Sequence, residues 1–249
     1  MLYRNKRERE GERTMIFQQY FEPLSSTYTY LIACERTKEA VLVDPVASEI
    51  KFYEERLAEL GLRLRYTAET HVHADHVTGA ALLRDRLRSQ SVVHKDGGAA
   101  CADVLVNDQD RIQVGDLTLT ILATPGHTNG CVSYRVGDRV LTGDALLIGG
   151  CGRTDFQNGD AGRLYDSIHA KIFSLPPDTL IYPGHDYHGN TVSTVRQERN
   201  KNARLGGGKS RDEFIAIMQN LHLPYPKAID RALPANQACG RESVAPVQG

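Results

Sequence analysis

Thr70-His71-Val72-His73-Ala74-Asp75-His76 places three imidazoles and a carboxylate within six residues, directly after an apolar stretch at 64–69 that reads as a strand. Residues two apart on an extended segment point the same way, so His71 and His73 can face one centre, while Asp75 and His76 can serve a neighbouring one past the bend. A polar loop has no need of this density. Three imidazoles this close would repel one another once protonated unless a cation kept them neutral and ordered, so the spacing points to a metal.

Working outward, the same chemistry recurs at later strand ends, each time beside glycine. His127 lies in TPGHT, Asp144 in LTGDALL and His185 in YPGHDY. Glycine allows a sharp turn and close backbone approach. A single sheet edge could gather these sites, since loops at such edges carry function. The surrounding pattern supports this. Residues 27–33 and 40–43 read as a hairpin, as do 111–114 with 117–123 around Gly115-Asp116, and 131–136 with 139–142 around Gly137-Asp138. Further strands are expected at 91–94 and 179–182. Helical spacing marks 48–60, with Ser48 as cap and Gly61 as terminator, and also 78–87 and 164–173. Two helices, near 191–201 and 211–221, are expected to close the chain. Gly206 to Gly208 follows a helix and lacks the Lys-Ser/Thr of a phosphate-binding loop, so it reads as a connection.

The chain has 249 residues, 30 basic against 31 acidic side chains, and no apolar run long enough to span a bilayer. A membrane-spanning protein and a phosphate-tracking basic stripe are both excluded, so neither membrane nor nucleic acid is an expected partner. Residues 1–14 alternate basic and acidic side chains with no apolar stretch and read as a disordered extension, leaving 15–249 as one catalytic domain. Five scattered cysteines without a CxxC pair suggest a reducing compartment and a cytoplasmic location. Cys151, near the histidines, reads as a small buried hydrophobe.

HxHxDH followed by His, Asp and His resembles the signature of the metallo-β-lactamase superfamily, from about Met15 to His188. That resemblance implies an α+β fold, an αββα sandwich of two mixed β-sheets flanked by helices with metal at one edge. Carried over, His71, His73 and His127 would serve one metal, Asp75, His76 and His185 a second, and Asp144 would bridge them. Three segments are similar to persulfide dioxygenases (sulfur dioxygenases): TGDALLIGGCGRTDFQNGD at 142–160, YPGHDYHG, and the tail NLHLPYPKAIDRALPANQACG.

This second resemblance implies one Fe(II) per chain on His71, His127 and Asp144, and oxidation of glutathione persulfide by O2 to sulfite and glutathione. His73, Asp75, His76, His185 and Asp186 would then support the ligands or hold a second metal. Arg153 and Tyr187 match positions near substrate: Arg153 would clamp a carboxylate or pair with Asp155, and Asp186 would orient a ligand histidine or cap a turn. A homo-oligomer and a separate sulfurtransferase are the implied partners. The alternative is a hydroxyacylglutathione hydrolase, a two-metal thioesterase of glyoxalase II type in which zinc could serve. That group carries a longer helical C-terminal region, whereas 64 residues follow His185 here. An inert metal-binding domain is disfavoured, because structural zinc usually takes closed, cysteine-rich ligand sets.

Overall fold

Strand β2, Thr27–Cys34, is buried along its whole length. Two apolar layers claim its alternate side chains: Tyr28, Tyr30, Ile32 and Cys34 enter one cluster, and Leu31 and Ala33 enter another. Successive strand residues face opposite sides, so a strand covered on both faces reads as a continuous apolar run.

The computed structural model describes residues 15–241; the extension expected over 1–14 and the last stretch of the expected domain, 242–249, lie outside them. Strands β1 (Met15–Glu22), β2, β3 (Glu39–Val43), β4 (Arg63–Ala68), β5 (Gln90–His94) and β6 (Val104–Val106) form one sheet in that order. Its first three strands are antiparallel and its last four run parallel. The second sheet holds β7 (Arg111–Val114), β8 (Leu117–Ala123), β9 (Val132–Val136), β10 (Arg139–Gly143), β11 (Leu180–Pro183) and β12 (Ser193–Thr194), antiparallel except where β10 meets β11.

The sheets stack across a core in which Tyr30, Val41 and Val43 meet Leu119, Ile121 and Tyr134. Outside the first sheet, α1 (Ile50–Glu59) and α2 (Ala80–Leu87) bury Tyr53, Leu57 and Leu83. Outside the second, α3 (Ala161–Ser167), α4 (Val195–Lys201) and α5 (Arg211–Gln219) bury Leu164, Val195 and Phe214. The expected αββα sandwich of two mixed sheets is thus observed. No helix among the described residues is long and apolar enough to cross a membrane.

Both expected two-residue turns form, with Gly115 and Gly137 in the left-handed region at φ +61 and +55. Several boundaries differ. Ser48 does not cap α1; Ala47–Glu49 is a 3-10 turn and the helix proper begins at Ile50. The third helix starts early because the Asp160 side chain accepts the N–H of Arg163, and it continues through a π-helical turn, Ile168–Ile172. Three edge strands, β1, β6 and the two-residue β12, were not expected; β12 takes the place of the first turn of the helix expected from 191, which begins at Val195.

The largest correction is a further helix, α6 (Ile229–Gln237), beyond the two expected to close the chain. Pro234 lies inside it and masks the spacing of its buried residues Ile229, Ala232, Ala235 and Asn236. This helix brings Cys239 to the loop carrying Cys101, and the two form a disulfide across 138 residues. The cysteine count therefore no longer argues for a reducing compartment. Cys34, Cys131 and Cys151 are free and buried, and Cys151 sits in the apolar cluster beneath α5, as a small hydrophobe would.

Candidate metal centre

Four strands of the two sheets end at one edge of the sandwich, and each hands over to a segment carrying a signature residue: β4 to His71, β8 to His127, β10 to Asp144 and β11 to His185. Hydrogen bonds close the sheets together here. The Val132 N–H donates to the Thr70 carbonyl at 2.8 Å, the Tyr134 hydroxyl to the Glu69 carbonyl at 2.9 Å, and the Tyr28 N–H to the Gly184 carbonyl at 2.8 Å. The approach is close enough to require glycine at 143, where φ is +51 and an added Cβ would lie 2.4 Å from Thr70 Oγ1. Gly143→Ala is expected to cost about 2 kcal/mol or more, read as a lower urea midpoint at unchanged slope.

His71, His127 and Asp144 form one group, with a donor atom of each within 4.8 Å of the others. Neighbours fix which ring nitrogen faces inward. His127 Nδ1 donates to the Arg153 carbonyl at 2.6 Å, leaving Nε2 as the lone-pair donor, 3.7 Å from Asp144 Oδ2. The Thr70 hydroxyl donates to Asp44 at 2.8 Å, so at 3.1 Å it accepts from His71 Nδ1, which again leaves Nε2 free. Burial, helped by His73 and His127, holds the His71 pKa well below the usual histidine value, so this ring is neutral near pH 7 and suited to ligation. Asp144 Oδ1 is buried without a hydrogen-bond partner. A buried carboxylate oxygen in that state fits a bound cation.

His73, Asp75 and His185 form a second group on the same criterion, and Asp44, Glu69 and His73 a third. His73 is common to both. Its Nε2 donates to Asp44 at 3.0 Å and lies 3.4 Å from Glu69, while Nδ1 is buried without a partner, 3.8 Å from Asp75. Burial alone would lower the His73 pKa, but Asp44 and Glu69 override it and hold it well above the ordinary value. His185 Nδ1 donates to the Ser26 carbonyl, and its Nε2 stands 3.5 Å from both Asp75 and Asp144 Oδ1. Asp144 therefore faces both groups. His76 joins neither: its Nδ1 donates to Asp75 at 2.8 Å and its Nε2 is buried without a partner. Burial would raise the Asp75 pKa, yet His76 and His185 hold it well below the carboxylate range.

The rim residues have particular partners. The Arg153 guanidinium forks onto Asp155 at 2.6 and 2.7 Å, donates to the Pro224 carbonyl at 2.8 Å and covers the Phe156 ring. Asp186 caps a turn, accepting the N–H groups of His188 and Asn190, and makes no bond to an imidazole. Tyr187 is 68% exposed, its ring parallel to His185 at 6.2 Å.

Sequence reasoning missed Asp44, Glu69, Thr70 and Asn236. Asp44 carried a signal, since Val43-Asp44-Pro45 sets a carboxylate at a strand end just as Asp144 is set. The other three carried none.

Residues 23–185 match the model of the metallo-beta-lactamase superfamily. The human mitochondrial persulfide dioxygenase ETHE1 is 52% identical over 229 residues, covering 91% of this chain and 89% of that one. A crystal structure of ETHE1 from Myxococcus xanthus shares 54% identity at a TM-score of 0.89, covering 91% of this chain and 100% of that one. A probable hydroxyacylglutathione hydrolase of Schizosaccharomyces pombe is 34% identical over 170 residues, 65% of this chain and 64% of that one. With the αββα sandwich and its edge cluster of histidines and aspartates in place, the chain belongs to the metallo-beta-lactamase superfamily and, within it, to the persulfide dioxygenase family.

Proposed function

We propose that this protein is a non-haem Fe(II) persulfide dioxygenase that converts glutathione persulfide, O2 and water to glutathione and sulfite, with one iron held by His71, His127 and Asp144. The observation that carries the reading is the convergence of two imidazoles and one carboxylate within 4.8 Å of one another. That donor set is the one used by non-haem Fe(II) oxygenases, where three neighbouring positions stay open. The 52% identity to a persulfide dioxygenase over most of both chains supports it.

Bound iron would supply adjacent positions for persulfide sulfur and dioxygen and a route for electrons between them. The chain's own residues orient and support. The Arg153 carbonyl and the Thr70 hydroxyl each take one imidazole N–H and so aim the opposite nitrogen of His127 and His71 inward. We assign Tyr187 and Arg153 to the substrate side. Arg153 would exchange Asp155 for a substrate carboxylate, a swap of one bidentate partner for another. A separate sulfur-transfer enzyme is the proposed source of the persulfide.

The hydrolase reading has one observation in its favour, the second group formed by His73, Asp75 and His185. Oxygen uptake by protein loaded anaerobically with Fe(II) separates the two, with metal content determined on the same sample. The expected result is uptake on adding glutathione persulfide, sulfite formation, and about one iron per chain. Two metals per chain with thioester cleavage and no uptake would establish the hydrolase instead.

A further inference from the structure

Asn236 lies on α6, far along the chain from the signature histidines, and spends its whole amide on their backbone. Its Nδ2 donates to the carbonyls of His73 at 2.9 Å and His76 at 2.7 Å, and its Oδ1 accepts the N–H of Thr78 at 2.9 Å. Buried backbone groups outside helices and sheets need partners of this kind. His73 and His76 are two of the three anchor points and Asp75 lies between them, so one side chain sets the course of the segment that follows His71.

The helix carrying Asn236 is itself fastened. Cys239 is bonded to Cys101, and its carbonyl accepts the N–H of Ala81 at 3.0 Å. Cys239 and Leu233 pack with Val72, Val93 and Ala99 in a small apolar cluster directly behind the ligand segment. Gly240 follows at φ +88, where an added Cβ would stand 2.2 Å from the Thr78 carbonyl. The stretch from Leu233 to Gly240 is thus fitted tightly against residues 72–78.

We infer that Asn236 is a positioning residue for the metal centre, and that the Cys101–Cys239 bond fixes the helix that carries it, so that the oxidation state of this pair sets how firmly the ligand segment is held. The inference rests on the reading that the His/Asp groups bind metal. Breaking the bond is a two-electron reduction: a trialkylphosphine and one water give two thiols and the phosphine oxide. Neither thiol need ligate metal; the effect passes through α6 and Asn236.

Cobalt(II) titration followed by visible absorption, together with backbone hydrogen exchange of residues 73–78 in metal-free protein, tests this. Asn236→Asp keeps the acceptor for Thr78 but has no donor for the two carbonyls. It is expected to weaken Co(II) binding about tenfold, the usual scale for groups that support metal ligands, and to speed exchange in the segment. Cys101→Ser leaves Asn236 intact and is expected to shift both readouts in the same direction, as is phosphine-reduced wild-type protein after the reagent is removed. Ile229→Val, a buried change elsewhere on α6, is expected to lower the melting midpoint without moving Co(II) affinity.

Unchanged cobalt affinity and exchange in Asn236→Asp would overturn the positioning role, as would an equal loss of affinity in Ile229→Val. Wild-type behaviour of Cys101→Ser would overturn the disulfide's part. If wild-type protein took up no cobalt, the metal reading would be the one that failed, and the exchange comparison would still decide the clamp.

Discussion

Replacing Asp144 by alanine is expected to abolish stoichiometric iron binding and to lower persulfide-dependent oxygen consumption by more than about a hundredfold, beyond the range seen when only supporting groups are removed. Asp144 contributes the carboxylate of the His71, His127 and Asp144 group, and its other oxygen faces His185. Without it, the two imidazoles would remain on that side, fixed in orientation but without a compensating negative charge for a divalent ion. His76→Ala should do far less, because its Nδ1 is committed to Asp75 and it belongs to neither group. Metal analysis and an oxygen electrode on the two variants check this. Normal iron content in Asp144→Ala would sink the ligand assignment, and loss of most metal in His76→Ala would favour the two-metal hydrolase.

The difference between those residues shows what the sequence could and could not disclose. His71, His127 and Asp144 were legible because each follows a strand with a strong pattern, and the glycines beside them announce close packing that does occur, as at Gly143 against Thr70. The hairpins were legible because Gly115 and Gly137 need φ values that glycine supplies readily. Asp44 and Glu69 were not. Glu69 sits in an ordinary context, and Asp44, although set at a strand end before Pro45, has no glycine or histidine beside it; the two become neighbours only because β3 and β4 run parallel with Val43 beside Ala68. The α6 helix was hidden by Pro234, and the disulfide by the separation of its cysteines. Arg153 was legible as two alternatives, a clamp for a substrate carboxylate or a partner for Asp155; spacing could not choose between them, and the structure shows the fork on Asp155.

Asp44→Ala is expected to be the most destabilising change at this edge of the sandwich, costing about 3–5 kcal/mol, the range for breaking one side of a buried charge network. The carboxylate is fully buried and accepts three hydrogen bonds: the Thr70 N–H at 2.7 Å, the Thr70 hydroxyl at 2.8 Å and His73 Nε2 at 3.0 Å. Glu69, 3.4 Å from His73, is too far to replace it. Alanine would also have to adopt the left-handed backbone that Asp44 holds at φ +52. Asp44→Asn separates these contributions, because asparagine tolerates that conformation and keeps one acceptor oxygen; it should lose roughly half as much. Urea unfolding of the metal-free variants measures the stability loss. Metal affinity should fall as well, for a specific reason. With its acceptor gone, the Thr70 hydroxyl is free to donate to His71 Nδ1, which would move the ring proton to Nε2 and block the lone pair that faces Asp144 and His127. A variant that lost stability but bound metal as tightly as the parent would show that Asp44 supports the fold and not the orientation of His71.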